Sequence, residues 1–271
     1  MYSEFEVKKQ ICEIGKRIYN NGFVAANDGN ISVKISDNEF LCTPTGVSKG
    51  FMTPDMICKV NAKGEVLAAS GKYKPSSEIK MHLRVYAERP DVKSVVHAHP
   101  PYATSFAIAG IPLNKPIMPE AVIALGCVPI AEYGTPSTEE IPDAVAKYLD
   151  NYDAVLLENH GALSWGGDLI SAYYKMESLE FYAKLTFIST LLGGPKELSE
   201  DQVQTLYGIR KKLGVAGRHP ADLCKTVGCS VPCSNAEEKS CGCDSKKEEP
   251  AKDTAKLVEE ITKKVLSQLN L

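Results

Sequence analysis

Two histidines close an apolar run, Val95-Val96-His97-Ala98-His99-Pro100. Alternate residues of a β-strand face the same side. His97 and His99 therefore present two imidazoles toward one point, while Val96 and Ala98 turn to a core. Pro100 has no ladder N–H to give, so it marks the strand end, where a sheet opens toward solvent. Taken alone, the pair also fits ordinary polar residues on an edge strand. Two further residues narrow the choice. Glu78 opens a helical pattern just after Ser76-Ser77. His160 follows the apolar strand Ala154-Val155-Leu156-Leu157 and precedes Gly161, where the chain turns and glycine permits close approach. Three imidazoles and one carboxylate, His97, His99, His160 and Glu78, make a full ligand set for one catalytic divalent ion, with Zn²⁺ the first choice for such donors.

Length and charge set the bounds. A chain of 271 residues holds one large domain with an appendage, or two small domains. The formal net charge is -3 and no strongly basic block is present, which argues against a nucleic-acid surface and against a polybasic membrane patch. Met1-Tyr2-Ser3-Glu4-Phe5-Glu6 has neither the basic nor the apolar region of a signal peptide, and no apolar stretch is long enough to span a bilayer. Cysteines number nine, an odd count that suits a reducing cytoplasm better than a secreted disulfide framework.

Organisation changes near residue 215. Residues 1–215 alternate strand-like and helix-like segments and read as the catalytic domain. Residues 216–253, rich in Ser, Lys, Glu, Pro and Cys, read as a flexible linker that buries too little apolar surface to offset its ordering entropy. Residues 254–271 recover a helical period, with Leu257, Val258, Ile261, Val265, Leu266 and Leu269 on one face and Glu259, Glu260, Lys263 and Lys264 on the other. Cys224, Cys229, Cys233, Cys241 and Cys243 match no common CxxC pair and read as redox-sensitive thiols rather than a metal site.

Within residues 1–215 the pattern predicts helices at Glu4–Asn20, Glu78–Glu88, Pro101–Ala109, Glu139–Leu149 and Asp168–Leu192. Strands are expected at Ile31–Ile35, Glu39–Cys42, Met56–Val60, Val66–Ala68, Ser94–His99, Val128–Ala131 and Ala154–Leu157, the last continued by Ala162–Trp165. The expected fold class is α/β, a three-layer α/β/α domain around a mixed, mostly antiparallel sheet.

Three polar turns suggest an anion site: Asp28-Gly29-Asn30-Ile31-Ser32, Thr43-Pro44-Thr45-Gly46 and Pro75-Ser76-Ser77-Glu78. Each offers backbone N–H groups or hydroxyls, and Ser76 and Ser77 stand where a helix start favours phosphate. Singly, each is as easily a helix cap or a plain turn. Their joint weight comes from Ser77 adjoining Glu78. His82, one turn beyond Glu78, is either a support for the site or a surface residue, and His219 lies outside the pattern.

The ordered set Gly29-Asn30-Ile31-Ser32, Thr43-Pro44-Thr45-Gly46, Ser76-Ser77-Glu78, His97-Ala98-His99 and Asn159-His160-Gly161 resembles the class II aldolase/adducin family, over roughly residues 5–212. The resemblance implies a C4 homotetramer with one Zn²⁺ per subunit, held by Glu78, His97, His99 and His160. It implies a substrate phosphate held by Gly29, Asn30, Thr45, Gly46, Ser76 and Ser77. The implied reaction is reversible cleavage of a deoxyketose 1-phosphate such as L-fuculose 1-phosphate, giving dihydroxyacetone phosphate and L-lactaldehyde through a metal-stabilised enediolate, with Glu78 moving the proton. Related pentulose-phosphate epimerases carry Asp at the position of Glu78, and the longer side chain favours an aldolase. Methylthioribulose-1-phosphate dehydratases keep a similar site and stay as an alternative. A non-catalytic adducin-like binding module is the third reading. The family's proton-donating tyrosine is replaced by Met118, so Glu120 is assigned that role, with Tyr133 as the second choice. A tyrosine that closes the resembled active site is matched by Tyr207, which otherwise reads as a packed helix residue. Lys256 to Leu269 resembles the encapsulation peptides that direct enzymes into bacterial microcompartments. The expected location is thus the cytoplasm, inside such a shell, with shell or cargo proteins as partners. Packing on its own tetramer, or in a small coiled coil, is the other use of such a helix.

Overall fold

Ser3 opens the first helix by a reciprocal pair of bonds. Its hydroxyl accepts from the Glu6 N–H, and the Glu6 carboxylate accepts from the Ser3 N–H at 2.7 Å. Helix α1, Glu4–Asn20, buries Val7, Ile11, Ile14 and Ile18 along one stripe, the spacing of a surface helix laid on a core. This structure, a computed structural model, describes residues 3–223. The terminal helix and the five clustered cysteines expected beyond residue 223 lie outside the described residues. No helix among the described residues is long and apolar enough to cross a membrane.

Among the described residues, eight strands form one sheet. They are β1 Asn30–Ser36, β2 Glu39–Cys42, β3 Cys58–Val60, β4 Val66–Ala68, β5 Ser94–Ala98, β6 Ile130–Ala131, β7 Ala154–Leu157 and β8 Gly161–Gly166. Their spatial order is β4-β3-β2-β1-β5-β8-β7-β6. Every neighbouring pair is antiparallel except β6 with β7. The remaining α-helices among the described residues are α2 Ile79–Glu88, α3 Pro101–Ala109, α4 Pro119–Ala124, α5 Glu140–Ala146, α6 Leu169–Leu191 and α7 Glu200–Leu213.

The two-residue period of the strands divides the core into two layers. Val96 and Ala98 of β5 pack with Ile11 and Ile14 of α1, Ala103 and Ala107 of α3, and Met176 and Leu179 of α6. Val95, with Leu163 and Trp165 of β8, packs on the opposite face with Met81 and Val85 of α2 and Val145 of α5. The expected three-layer arrangement is thus present. His97 shares the parity of Val95, so it points to the α2 side of the sheet.

Several boundaries differ from the sequence reading, for local reasons. Ala162–Trp165 does not continue β7. The chain reverses at Glu158–His160, with Leu157 opposite Gly161. Asn159 takes a left-handed φ of 55° there, a conformation Asn tolerates better than most residues. The strand expected from Met56 begins at Cys58, because Pro54–Met56 forms a 3₁₀ turn. Val128 bridges Leu113 and not β7, which shortens β6 to two residues. Helix α4 was absent from the sequence reading, and α7 entered it only through the packed-helix reading of Tyr207. A signal for α7 was present in Ser199 and Gln202, which form a second reciprocal cap.

Candidate metal centre

Strand register assembles the site. Asn30 of β1 lies opposite His97 of β5, and Ala98 lies opposite Ala162 of β8. This gathers His97 and the β7–β8 turn carrying His160 at one end of the sheet, with His99 just past the strand. Helix α2 delivers Glu78 as its N-cap residue. Its position is pinned from below: Ser32 of β1 meets both His82 Nδ1 and the Tyr86 hydroxyl at 2.7 Å. His82 is therefore a buried strut between α2 and β1 and not a surface group.

The His97 side chain is fully buried. Its Nδ1 lies 2.9 Å from the Ala162 carbonyl. A carbonyl only accepts, so Nδ1 carries the proton and Nε2 keeps its lone pair for a ligand. His99 Nε2 lies 3.1 Å from that atom. Ligand nitrogens of His97, His99 and His160 all fall within 4.8 Å of one another. Glu78 closes the set, with Oε2 3.5 Å from His97 Nε2 and Oε1 3.3 Å from His160 Nε2. Asn30 donates to Glu78 Oε2 at 2.9 Å, and Asp28 stands 3.5 Å from His99 Nδ1.

Burial holds the His97 pKa well below the usual imidazole value, and the neighbouring His99 and His160 push it the same way. Burial also lowers His160, against the opposing charge of Glu78. Both rings are therefore neutral and able to donate lone pairs near pH 7. Glu78 Oε1 is buried yet accepts no hydrogen bond. An unsatisfied carboxylate oxygen facing converged, neutral imidazoles is what a divalent cation would complete. The residues present fit such an ion.

Two glycines keep this arrangement tight. Gly29 has φ 74°, and a Cβ there would stand 2.9 Å from the His97 carbonyl oxygen. At Gly161 a Cβ would stand 2.6 Å from both the Ala98 carbonyl oxygen and His99 Cδ2.

A polar cavity of about 170 Å³ adjoins the histidines. Gly29, Asn30, Thr45, Gly46, Ser76 and Ser77, all expected from the sequence, line it beside Glu78, His99 and His160. The turns are tied to each other: Ser76 N–H donates to the Thr43 carbonyl at 3.1 Å, Thr45 N–H to the Lys74 carbonyl at 2.9 Å, and Ile31 N–H to the Thr43 hydroxyl at 3.1 Å. Ser76 also caps the Glu78 N–H at 3.3 Å. Lys49 lines the same cavity and was missed by the sequence reading, because its two acceptors are backbone carbonyls that no motif reveals.

Glu120 and Tyr207 do not line this cavity. Glu120 sits in the first turn of α4. Tyr207 lies on α7, with its ring edge-on to His219 at 5.3 Å. Tyr133 is exposed. His219, set aside in the sequence reading, is buried and meets the Val122 carbonyl at 2.8 Å, so it anchors the segment after α7 to α4.

His82 carries a consequence for stability. Burial depresses its pKa to about 3 from an ordinary value of 6.5. Between those values the unfolded chain binds the extra proton and the folded chain does not, so stability falls as pH drops. The metal-free protein should lose about 2 kcal/mol between pH 7 and pH 5 from this group. Urea midpoints at both pH values check it, and a His82→Asn variant should show a correspondingly weaker pH dependence.

The geometry has counterparts among known proteins. A sequence profile of the Class II Aldolase and Adducin N-terminal domain matches residues 9–187. The chain is 35% identical to an L-fuculose phosphate aldolase of Methanocaldococcus jannaschii over 188 residues, covering 68% of this chain and 98% of that one. It is 33% identical to a 3-oxo-tetronate 4-phosphate decarboxylase of Pectobacterium atrosepticum over 190 residues, covering 69% of this chain and 86% of the relative. A solved structure of an L-fuculose 1-phosphate aldolase superposes with a TM-score of 0.71 at 29% identity, covering 79% of this chain and 98% of that one. The chain belongs to the class II aldolase and adducin family and is a metal-dependent lyase.

Proposed function

We propose that the protein is a zinc-dependent aldolase that reversibly cleaves L-fuculose 1-phosphate, or a similar deoxyketose 1-phosphate, to dihydroxyacetone phosphate and L-lactaldehyde. The observation that carries this reading is the adjacency of the three-histidine cluster to a cavity lined by Ser76, Ser77, Thr45 and Gly46. One substrate can reach both, with phosphate on the turns and carbonyl toward the histidines. His97, His99, His160 and Glu78 would hold the ion, and this nitrogen-rich donor set favours zinc. When bound, such an ion supplies Lewis-acid stabilisation of negative charge on the substrate oxygens.

The chain's own groups do the rest. Asn30 steadies Glu78 through Oε2 and leaves Oε1 without a hydrogen bond. Once substrate takes its place at the ion, that oxygen would be free to take a C–H proton of dihydroxyacetone phosphate in synthesis and to return it to the same carbon in cleavage. Backbone N–H groups and hydroxyls of the three turns orient the phosphate. Glu120 or Tyr207 would reach the aldehyde-side oxygen only from a neighbouring copy, since neither lines this cavity. Exposed apolar residues at the end of α6, Leu191 at 71% and Leu192 at 82%, favour a covering partner. The exposed apolar end of α6 is compatible with the homotetramer proposed for this enzyme.

A second reading is favoured by the decarboxylase relatives, whose identity to this chain is much the same as that of the aldolases. Cleavage of a C–C bond next to a carbonyl leaves the same kind of carbanion whether the lost fragment is an aldehyde or carbon dioxide. Epimerase and dehydratase chemistry on this scaffold are further alternatives. Product analysis separates them: dihydroxyacetone phosphate from a ketose 1-phosphate for the aldolase, carbon dioxide from a 3-oxo acid phosphate for the decarboxylase.

Residues 254–271 are proposed to address this enzyme to a cytoplasmic microcompartment, where a volatile aldehyde product would be retained. The amphipathic pattern of Leu257, Val258, Ile261, Val265, Leu266 and Leu269 supports this. Deleting residues 250–271 should leave turnover intact and abolish co-purification with shell proteins. A truncated enzyme that still enters shells contradicts the assignment.

A further inference from the structure

Lys49 stands in a short 3₁₀ turn, Lys49–Phe51, just after the Thr43–Gly46 segment. Only 1% of the residue is exposed. Its ammonium donates to the Asn27 carbonyl at 2.9 Å and to the Val47 carbonyl at 2.7 Å. Those carbonyls belong to the two turns that carry Gly29-Asn30 and Thr45-Gly46, so one side chain ties both turns together. An ammonium has three N–H groups, and the described residues accept from two of them. No carboxylate among the described residues forms an ion pair with it; the ion pairs nearby are those of His99 with Asp28 and of Glu78 with His97 and His160. Asp28, which lines the same cavity, is paired with His99, and a buried cation with no ion pair of its own is costly to keep. Burial pushes its pKa down to about 8, with Asp28 alone opposing. The residue nevertheless lines the polar cavity beside Ser76 and Ser77, where a bound anion would meet its charge.

We propose that Lys49 is the residue that makes this cavity selective for a phosphate dianion. It fixes the two turns through Asn27 and Val47, and the phosphate of the substrate completes its third hydrogen bond and its charge. The inference rests on the reading of the cavity as the phosphate site, but not on the reaction performed beside it. Serine, threonine and glycine donors hold any oxyanion of suitable size; a buried ammonium adds a preference for charge.

The test is titration of the zinc-loaded full chain with inorganic phosphate, for the wild type, Lys49→Met and Lys49→Gln. Glutamine keeps an N–H for one carbonyl and carries the test if methionine prevents folding. Both neutral variants should bind phosphate at least about tenfold more weakly while retaining zinc. Their preference in kcat/KM for a phosphorylated ketose over its unphosphorylated form should fall by a similar factor, mostly through KM. A purely structural role would lower activity on both substrates alike. Phosphate affinity within about threefold of wild type in either folded variant overturns the proposal, as does a wild type that binds no phosphate. Loss of phosphate binding in the variants, with no aldol cleavage by the wild type, would uphold Lys49 and reject the aldolase reading. Aldol cleavage with phosphate affinity unchanged in the variants would do the reverse.

Discussion

Glu78→Gln should lower kcat by about 10²–10⁴-fold, the range for removing a positioned general base. The substitution keeps the shape of the side chain and an oxygen that can accept from Asn30, which lies 2.9 Å from Oε2. It removes the ability of Oε1 to take a proton. The three histidines are untouched, so metal should remain, with affinity weakened by no more than the loss of one charged donor. The variant should therefore be metal-replete and nearly inactive, with KM for the phosphorylated ketose changed far less than kcat. Metal analysis beside steady-state kinetics checks this. Activity within threefold of wild type would remove Glu78 from proton transfer.

Replacing His97 should act earlier, on the metal itself. His97 is the one fully buried member of the cluster, and its orientation is locked by the Ala162 carbonyl. His97→Asn keeps a donor for that carbonyl but withdraws the ring from the meeting point of the ligands. The expected result is loss of stoichiometric zinc and a fall in turnover of at least about 10³-fold, since a Lewis acid is worth several kcal/mol of transition-state stabilisation. Zinc content after gel filtration and turnover under saturating substrate test it together. Retained zinc with normal turnover would mean that the ion sits elsewhere.

The convergence of the three histidines was legible because its signals are local. His97 and His99 declare a shared face through strand parity, and His160 declares a strand end through the glycine that follows it. The parity argument also turned Val96 and Ala98 toward a core, where they are buried. The β7–β8 reversal was missed because Ala154–Leu157 and Ala162–Trp165 are both apolar and fully buried. Hydrophobicity alone does not separate one long strand from a tight hairpin, and Asn159 is a weak turn signal on its own. Lys49 was beyond the reach of the sequence, and His82 was left between a support for the site and a surface residue, for a different reason. Each is defined by partners far along the chain or on the backbone: Asn27 and Val47 carbonyls for the first, Ser32 and Tyr86 for the second. Ser32 and Tyr86 become neighbours only once α2 lies on β1. Glu120 and Tyr207 do not line the cavity within a single chain, and nothing local in the sequence signals where α4 and α7 pack.

The most direct test is release of dihydroxyacetone phosphate from L-fuculose 1-phosphate by protein stripped of metal and then reloaded with Zn²⁺. The account predicts negligible release from the stripped protein and full recovery at one zinc per subunit, with no recovery in His97→Asn. No release from protein that holds zinc through His97, His99 and His160 would contradict the aldolase assignment and turn attention to carbon dioxide as the product.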